Sequence, residues 1–282
     1  MVRQPILHEA VDANRQREVR ETMRQHTAGA SPSSRSVLLA LLLLPLAPAP
    51  VLGSSVDLPA IVLQAPPDPD GHPSQWLNRA VGLFDQGALA NETRHARPVT
   101  KWAGAIGIAV RGDAGSEWLA RVQQIADDLA DLTGQQITVE DNPLWAGDID
   151  VYVTNRASYW PFFVEPASGV KDEPFTCIAL PSTVNGEIRG SKIHINAGVM
   201  PPDGVSACLL EEIFQSMGFF GETPGHPETV LDDDIGYREL GSMDRLLLRT
   251  LYDPRLSAGM PRDRALPLVR QILRENLSDQ RR

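Results

Sequence analysis

Apolar and polar residues alternate with two different periods along this chain, and from Pro98 onward the alternation is regular enough to assign elements. "AIGIAV" (105–110) is an apolar run of strand length. Residues 116–133 follow with Trp118, Val122, Ile125, Leu129 and Leu132 at 4-3-4-3 spacing, the period of one helix face, and Gly134 stands where that helix should close. "QQITVE" (135–140) and "DIDVYVTN" (148–155) read as two further strands. "FTCIAL" and "GEIRGSKIHIN" flank Asn185-Gly186, a pair suited to a two-residue hairpin because both turn positions need positive φ. A helix over roughly 204–218 comes next. Its Leu209, Leu210, Ile213, Phe214 and Met217 form one stripe, with Glu211, Gln215 and Gly218 opposite. Upstream, 74–91 forms a helix with Trp76, Ala80, Leu83 and Phe84 near one face. Downstream, Leu247, Thr250 and Leu251 give a face to a helix within 242–256 that Asp253-Pro254 stops, and a last helix begins near Pro261.

The N-terminal part carries a different pattern. "SVLLALLLLPLAPAPVLGSS" (36–55) is too short and too interrupted by proline to span a bilayer, and it ends in small residues suited to signal-peptidase cleavage near Gly53 or Ser54. A start at Met23 would leave Arg24 and Arg35, with no acid, ahead of the apolar run. The expected organisation is a signal peptide over 1–53 with a long region ahead of its apolar run (an uncleaved signal anchor is the alternative), a Pro/Asp-rich linker over 54–73, a single domain over 74–276 and a tail over 277–282. The mature protein is expected in the periplasm or outside the cell, without a membrane span. Export changes the meaning of the two cysteines: Cys177 and Cys208 are an even pair in an oxidising compartment and are expected to form a disulfide.

Composition narrows the partners. A formal net charge of −10 excludes a nonspecific grip on nucleic acid or anionic lipid. No G-x-S-x-G, phosphate-loop or dinucleotide fingerprint is present.

The stretch nearest to a known chemistry is "CLLEEIFQSMGFFGE" (208–222), which aligns with the zinc-binding pattern H-E-x-x-H-x-x-G-x-x-H. The acid of that pattern falls on Glu212 and its glycine on Gly218, but the three metal positions hold Glu211, Gln215 and Gly221. Zinc takes imidazole, thiolate or carboxylate, an amide is a weak ligand and glycine offers none, so no zinc or other cofactor is expected. Without a Lewis acid to bring bound water towards pKa ~7, Glu212 is a poor base. Glu212 as general base of a divergent metal-dependent hydrolase is the enzymatic alternative. His226 lies beyond the third metal position and reads as a loop residue, and His194 as a residue on a strand face. Between Asp203 and Asp234 stand eight acids and no Lys or Arg, which makes Asp232, Asp233 and Asp234 a candidate site for Ca²⁺ or Mg²⁺. The run lacks the ligand spacing of an EF-hand loop, and a solvated surface explains it as well.

The order strand, helix, strand, strand, hairpin, helix resembles the upper half of the metzincin metalloproteases. Met243 with "LLLRTLY" (246–252) is similar to their methionine turn and following helix. The chain also resembles a bacterial family of exported proteins defined as a domain of unknown function, on "KWAGAIGIAV", on C…EExxQxxG and on LYDPRLxxGM, over roughly residues 75–275. These resemblances imply an α+β, zincin-like fold, a mixed sheet over two helices followed by a small helical C-terminal part. The expected function is non-catalytic: binding of a polypeptide or envelope component in a degenerate protease-type cleft, along the edge strand "FTCIAL". A structural envelope protein is a further alternative.

Overall fold

The structure is a computed structural model that describes residues 73–91, 94–144, 146–156, 176–232 and 236–279. The expected signal peptide lies outside the described residues, as does the linker except for Pro73, which opens the first helix. The elements are α1 (Pro73–Ala88), β1 (Ile106–Arg111), α2 (Gly115–Thr133), β2 (Ile137–Asp141) and β3 (Ile149–Thr154). They continue with β4 (Cys177–Val184), β5 (Glu187–Asn196), a 3-10 turn (Ala197–Val199), α3 (Pro202–Gln215), α4 (Ser242–Leu251) and α5 (Arg262–Asp279).

The five strands form one sheet in the order β2-β1-β3-β5-β4. The β1–β2, β1–β3 and β3–β5 pairs are parallel, and β4 returns antiparallel to β5. Side chains two apart along a strand share a face. Ile106, Ile108 and Val110, then Ile149, Val151 and Val153, then Ile193 and Ile195 are accordingly buried on the face that packs on α2 and α3. Beyond those two helices lie α4, α5 and α1, the last packing on the two C-terminal helices. The architecture is mixed α/β with a helical C-terminal part. The N-terminal helix joins that part rather than standing apart from it.

Two boundaries differ from the sequence reading, each for a local reason. The strand in "FTCIAL" continues through Pro181 to Val184. Proline is tolerated there because β4 pairs with β5 on one side only among the described residues, and a missing N–H on the other side breaks no ladder bond. Helix α3 starts earlier, at Pro202, and ends at Gln215 rather than 218. Its carbonyls at the far end leave the helix for other donors. Trp102 Nε1 donates to the Ser216 carbonyl at 2.9 Å and the Tyr252 hydroxyl to the Met217 carbonyl at 3.1 Å. The hairpin turn matches expectation, with Asn185 at φ 52° and Gly186 at φ 82°.

Candidate functional site

Helix α3 buries Leu209, Leu210, Ile213, Phe214 and Met217, all at 2% exposure or less, so its apolar stripe is the sequence-predicted one. The opposite side does not face open water. Glu211 and Gln215, both half-buried, line a groove of about 450 Å³ together with Glu212, Glu222 and the start of β4, Thr176 to Ala179. Glu212 is only 6% exposed yet still reaches the groove wall. Three carboxylates and an amide therefore line the groove together with the start of strand β4. Among the described residues its lining holds no Lys, Arg or His.

The disulfide bridges the two walls. Cys177, the first residue of β4, is bonded to Cys208 in α3, with 6.1 Å between their Cα atoms. Met200 lies against it, its sulfur 3.7 Å from Cys208 Sγ. The sequence reading of this pair holds, and a cross-link of this kind belongs to an oxidising compartment.

The backbone of β4 has a definite polarity. The Asn196 N–H donates to the Thr176 carbonyl, so from Gly190 to Asn196 the even-numbered residues of β5 turn their polar groups towards β4. The Ser191 N–H donates instead to Asp148, on the β3 side. In an antiparallel pair, residues alternate between bonding the partner and facing away from it. With Ile178 opposite His194 and Leu180 opposite Lys192, those two face β5, and Cys177, Ala179 and Pro181 direct their backbone polar groups to the edge that no strand pairs among the described residues. That edge adjoins the groove at Cys177 and Ala179.

The segment after α3 decides whether the residues fit a zinc ion. Gly218 takes φ 124°, and a Cβ there would lie 2.2 Å from the Thr100 carbonyl oxygen, so the turn requires glycine. Gly221, the third metal position of the pattern, packs its Cα against α1: a Cβ would sit 2.0 Å from the Gln86 carbonyl oxygen. No side chain can project from it into the groove, whereas Glu222, the next residue, does line the groove. Glu211, Gln215 and Gly221 thus do not fit zinc. Among the described residues no three His, Cys, Asp or Glu side chains gather closely enough to hold any metal. Met243 lies buried in the first turn of α4 rather than in a turn beneath the groove.

A family profile described as "Protein of unknown function (DUF2927)" matches residues 82–271, which include every groove-lining residue. The chain belongs to the DUF2927 family. No curated protein matches it. No described helix of this DUF2927 chain is long and apolar enough to cross a membrane.

Of the remaining candidate residues of the DUF2927 domain, those described lie outside the groove. Asp232 is buried in the loop before α4, and Asp233 and Asp234 lie outside the described residues. Asp203 pairs with Arg238 at 2.7 Å, and Glu228 lies 3.5 Å from Arg79 and 3.6 Å from His226 Nδ1. Asp203 and Glu228 are therefore engaged with separate partners away from the groove. His194 stands on the sheet face with Tyr152, ring centroids 5.8 Å apart, and burial together with Lys192 holds its imidazole below the ordinary value. Two features escaped the sequence reading. Glu222 enters the groove because the turn after α3 swings it there, one residue off the pattern. Asp244 is buried at the start of α4 and accepts from the Thr229 hydroxyl (2.7 Å), the Val230 N–H (3.0 Å) and the Gly241 N–H (2.8 Å). Burial pushes its carboxyl up to about 6 against those bonds. An Asp three residues into a helix after Gly is a capping signal that sequence could have supplied.

Proposed function

We propose that this is an exported, non-catalytic protein with a zincin-like fold, whose groove between β4 and α3 binds an extended polypeptide segment. The observation that carries the reading is the open edge of β4 lying directly beside the groove, with the Cys177 and Ala179 backbone groups turned towards it. Strand addition is the binding mode such an edge supports: main-chain bonds supply affinity and the neighbouring walls select side chains. Zincin likeness draws its support from the antiparallel edge strand over the motif helix and from the glycine turn at Gly218. Export draws its support from the disulfide and the apolar N-terminal run. The hydrolase reading of Glu212 needs a Lewis acid, and the positions that would hold one are Glu211, an amide and a backbone-packed glycine.

The test is a display library of random linear peptides selected on the native protein and on Ala179→Pro, which deletes one outward N–H. Enrichment on the native protein alone supports the proposal; no enrichment, or equal enrichment on both, removes it. One zinc per chain, lost on Glu211→Ala, would replace it with the hydrolase.

A further inference from the structure

The two cysteines of the disulfide stand in the groove itself. Cys177 and Cys208 both belong to its lining, Cys177 half-buried and Cys208 9% exposed. Met200, another lining residue, sets its sulfur 3.7 Å from Cys208 Sγ. A disulfide sealed in a core meets a thiolate only when the domain unfolds, whereas one lining a groove of about 450 Å³ is met from solvent. Among the described residues, little besides this bond holds the start of β4 against α3. Side chains two apart share a face, so Ala179 follows Cys177 towards α3, and both are half-buried. Their neighbours on β5, Ile193 and Ile195, are fully buried. Apolar stabilisation grows with the area removed from water, so packing fixes β5 to the helical layer far more firmly than it fixes β4. Nor does the ladder hold Cys177 directly. Opposite Ile195 its backbone polar groups face away from β5, and the bond at that end is the one from the Asn196 N–H to the Thr176 carbonyl.

We propose that the Cys177–Cys208 bond is a redox latch on the groove: a dithiol entering the groove reduces it, β4 parts from α3, and polypeptide binding is lost while the rest of the domain stays folded. This rests on the polypeptide reading above and adds the regulation of that site. The exchange balances. A thiolate of the reductant attacks Cys177 Sγ, on the more exposed of the two residues, and the S–S bond breaks with its electron pair leaving on Cys208 Sγ, which takes up a proton. The second thiol of the reductant, as thiolate, then displaces Cys177 Sγ from the mixed disulfide and closes the reductant's own disulfide. Two electrons and two protons pass from the dithiol to the cysteine pair, and a disulfide oxidant reverses the steps.

The experiment follows reduction of the native, disulfide-bonded protein by dithiothreitol, with free thiols trapped by a bulky maleimide and counted by intact mass. The rate should rise in proportion to dithiothreitol, and Leu129→Ala, at a buried α2 position outside the groove lining, should change it by less than about twofold. If reduction waits for global unfolding, Leu129→Ala speeds it more than about tenfold, and the latch is overturned. Val122→Ala takes its place if Leu129→Ala does not fold. After reduction the circular dichroism spectrum should stay native and both thiols should take the maleimide. A Cys208 thiol left unlabelled in the folded protein overturns the proposal, because the walls have not parted. Loss of the native spectrum overturns it too, since the bond is then structural alone. A fluorescein-labelled peptide of alternating threonine and valine, titrated by anisotropy, should bind the oxidised form about tenfold tighter than the reduced form. Equal affinity for the two forms overturns the control of binding. Binding to neither form overturns the polypeptide reading, while the labelling still decides whether reduction opens the groove.

Discussion

Breaking the Cys177–Cys208 bond should lower stability by about 4 kcal/mol. The cysteines are 31 residues apart, and closing a loop of that length removes about 12 cal/mol/K from the entropy of the denatured chain, or about 4 kcal/mol at 25 °C. Against a typical domain stability of about 5–15 kcal/mol this is a large share. The native side of the balance adds a local effect. Among the described residues strand β4 is held in the sheet by β5 alone, and this bond ties it to α3, so its first residues should loosen before the central strands do. The assay is equilibrium urea unfolding of the wild-type protein oxidised and reduced, a comparison that leaves both sulfur atoms in place and isolates the cross-link. Hydrogen exchange on the same two samples reports the local effect. Amides of 177–180 should exchange faster on reduction, and those of β1 and β3 should keep their protection. A stability difference below about 1 kcal/mol would refute the chain-entropy reasoning for this loop. Equal loss of protection in β1, β3 and β4 would refute the role of the bond as an anchor of the edge.

The other predictions concern the buried acid, the two glycines and the metal. Asp244 has its folded pKa raised from 3.8 to about 6, so the folded state holds more protons between those values and stability should fall as pH rises through that window. The shift corresponds to about 3 kcal/mol, and Asp244→Asn should flatten that part of the pH–stability curve in urea titrations; an unchanged slope would show that Asp244 is not its source. Gly218→Ala should cost about 3 kcal/mol or more, since φ 124° and a 2.2 Å approach to the Thr100 oxygen both oppose a Cβ, and a melting temperature within a degree or two of wild type would contradict that geometry. Glu211→His with Gln215→His should fold and bind zinc weakly through two imidazoles, whereas adding Gly221→His should unfold the domain against the Gln86 carbonyl; a folded triple variant with tighter zinc would place the third ligand where the structure has no room. Protein purified without chelator should carry no stoichiometric zinc by elemental analysis.

Much of the fold was legible because its central elements obey one period each. The 4-3-4-3 run of α2 buries Val122, Ile125, Leu129 and Leu132 with Trp118 half-buried at its start, the alternating β3 buries Ile149, Val151 and Val153, and Asn185-Gly186 turns the hairpin as its backbone preference dictates. The groove was half legible. Helical periodicity put Glu211 and Gln215 on one side of α3 but carries no information about what stands opposite that side; only the sheet order, with β4 at the edge, makes it a groove wall. Position 221 was misleading for a different reason. A motif counts residues, whereas the turn after Gly218 sets which of them points inward, and that turn selects Glu222.

Two of the three sequence patterns that carried the family resemblance, "KWAG" and "LYDPR", meet behind the groove, and the third, C…EExxQxxG, lies on its helical wall. Lys101 Nζ donates to the carbonyls of Leu251 (3.1 Å) and Asp253 (3.4 Å) at the end of α4, and its ammonium lies 5.6 Å from the Tyr252 ring. Trp102 and Tyr252 take the Ser216 and Met217 carbonyls that α3 releases, and the Ser216 hydroxyl bonds both the Glu212 carbonyl (2.8 Å) and the Ser191 hydroxyl of β5 (2.7 Å). Carbonyls freed in a buried turn each lose about 1–3 kcal/mol if left without donors, so these side chains are what allows α3 to stop where it does. The stop is what turns the chain at Gly218, after which Glu222 joins Glu211 in lining the groove. Residues far from any ligand thus fix the one surface where the helix, the edge strand and the disulfide converge.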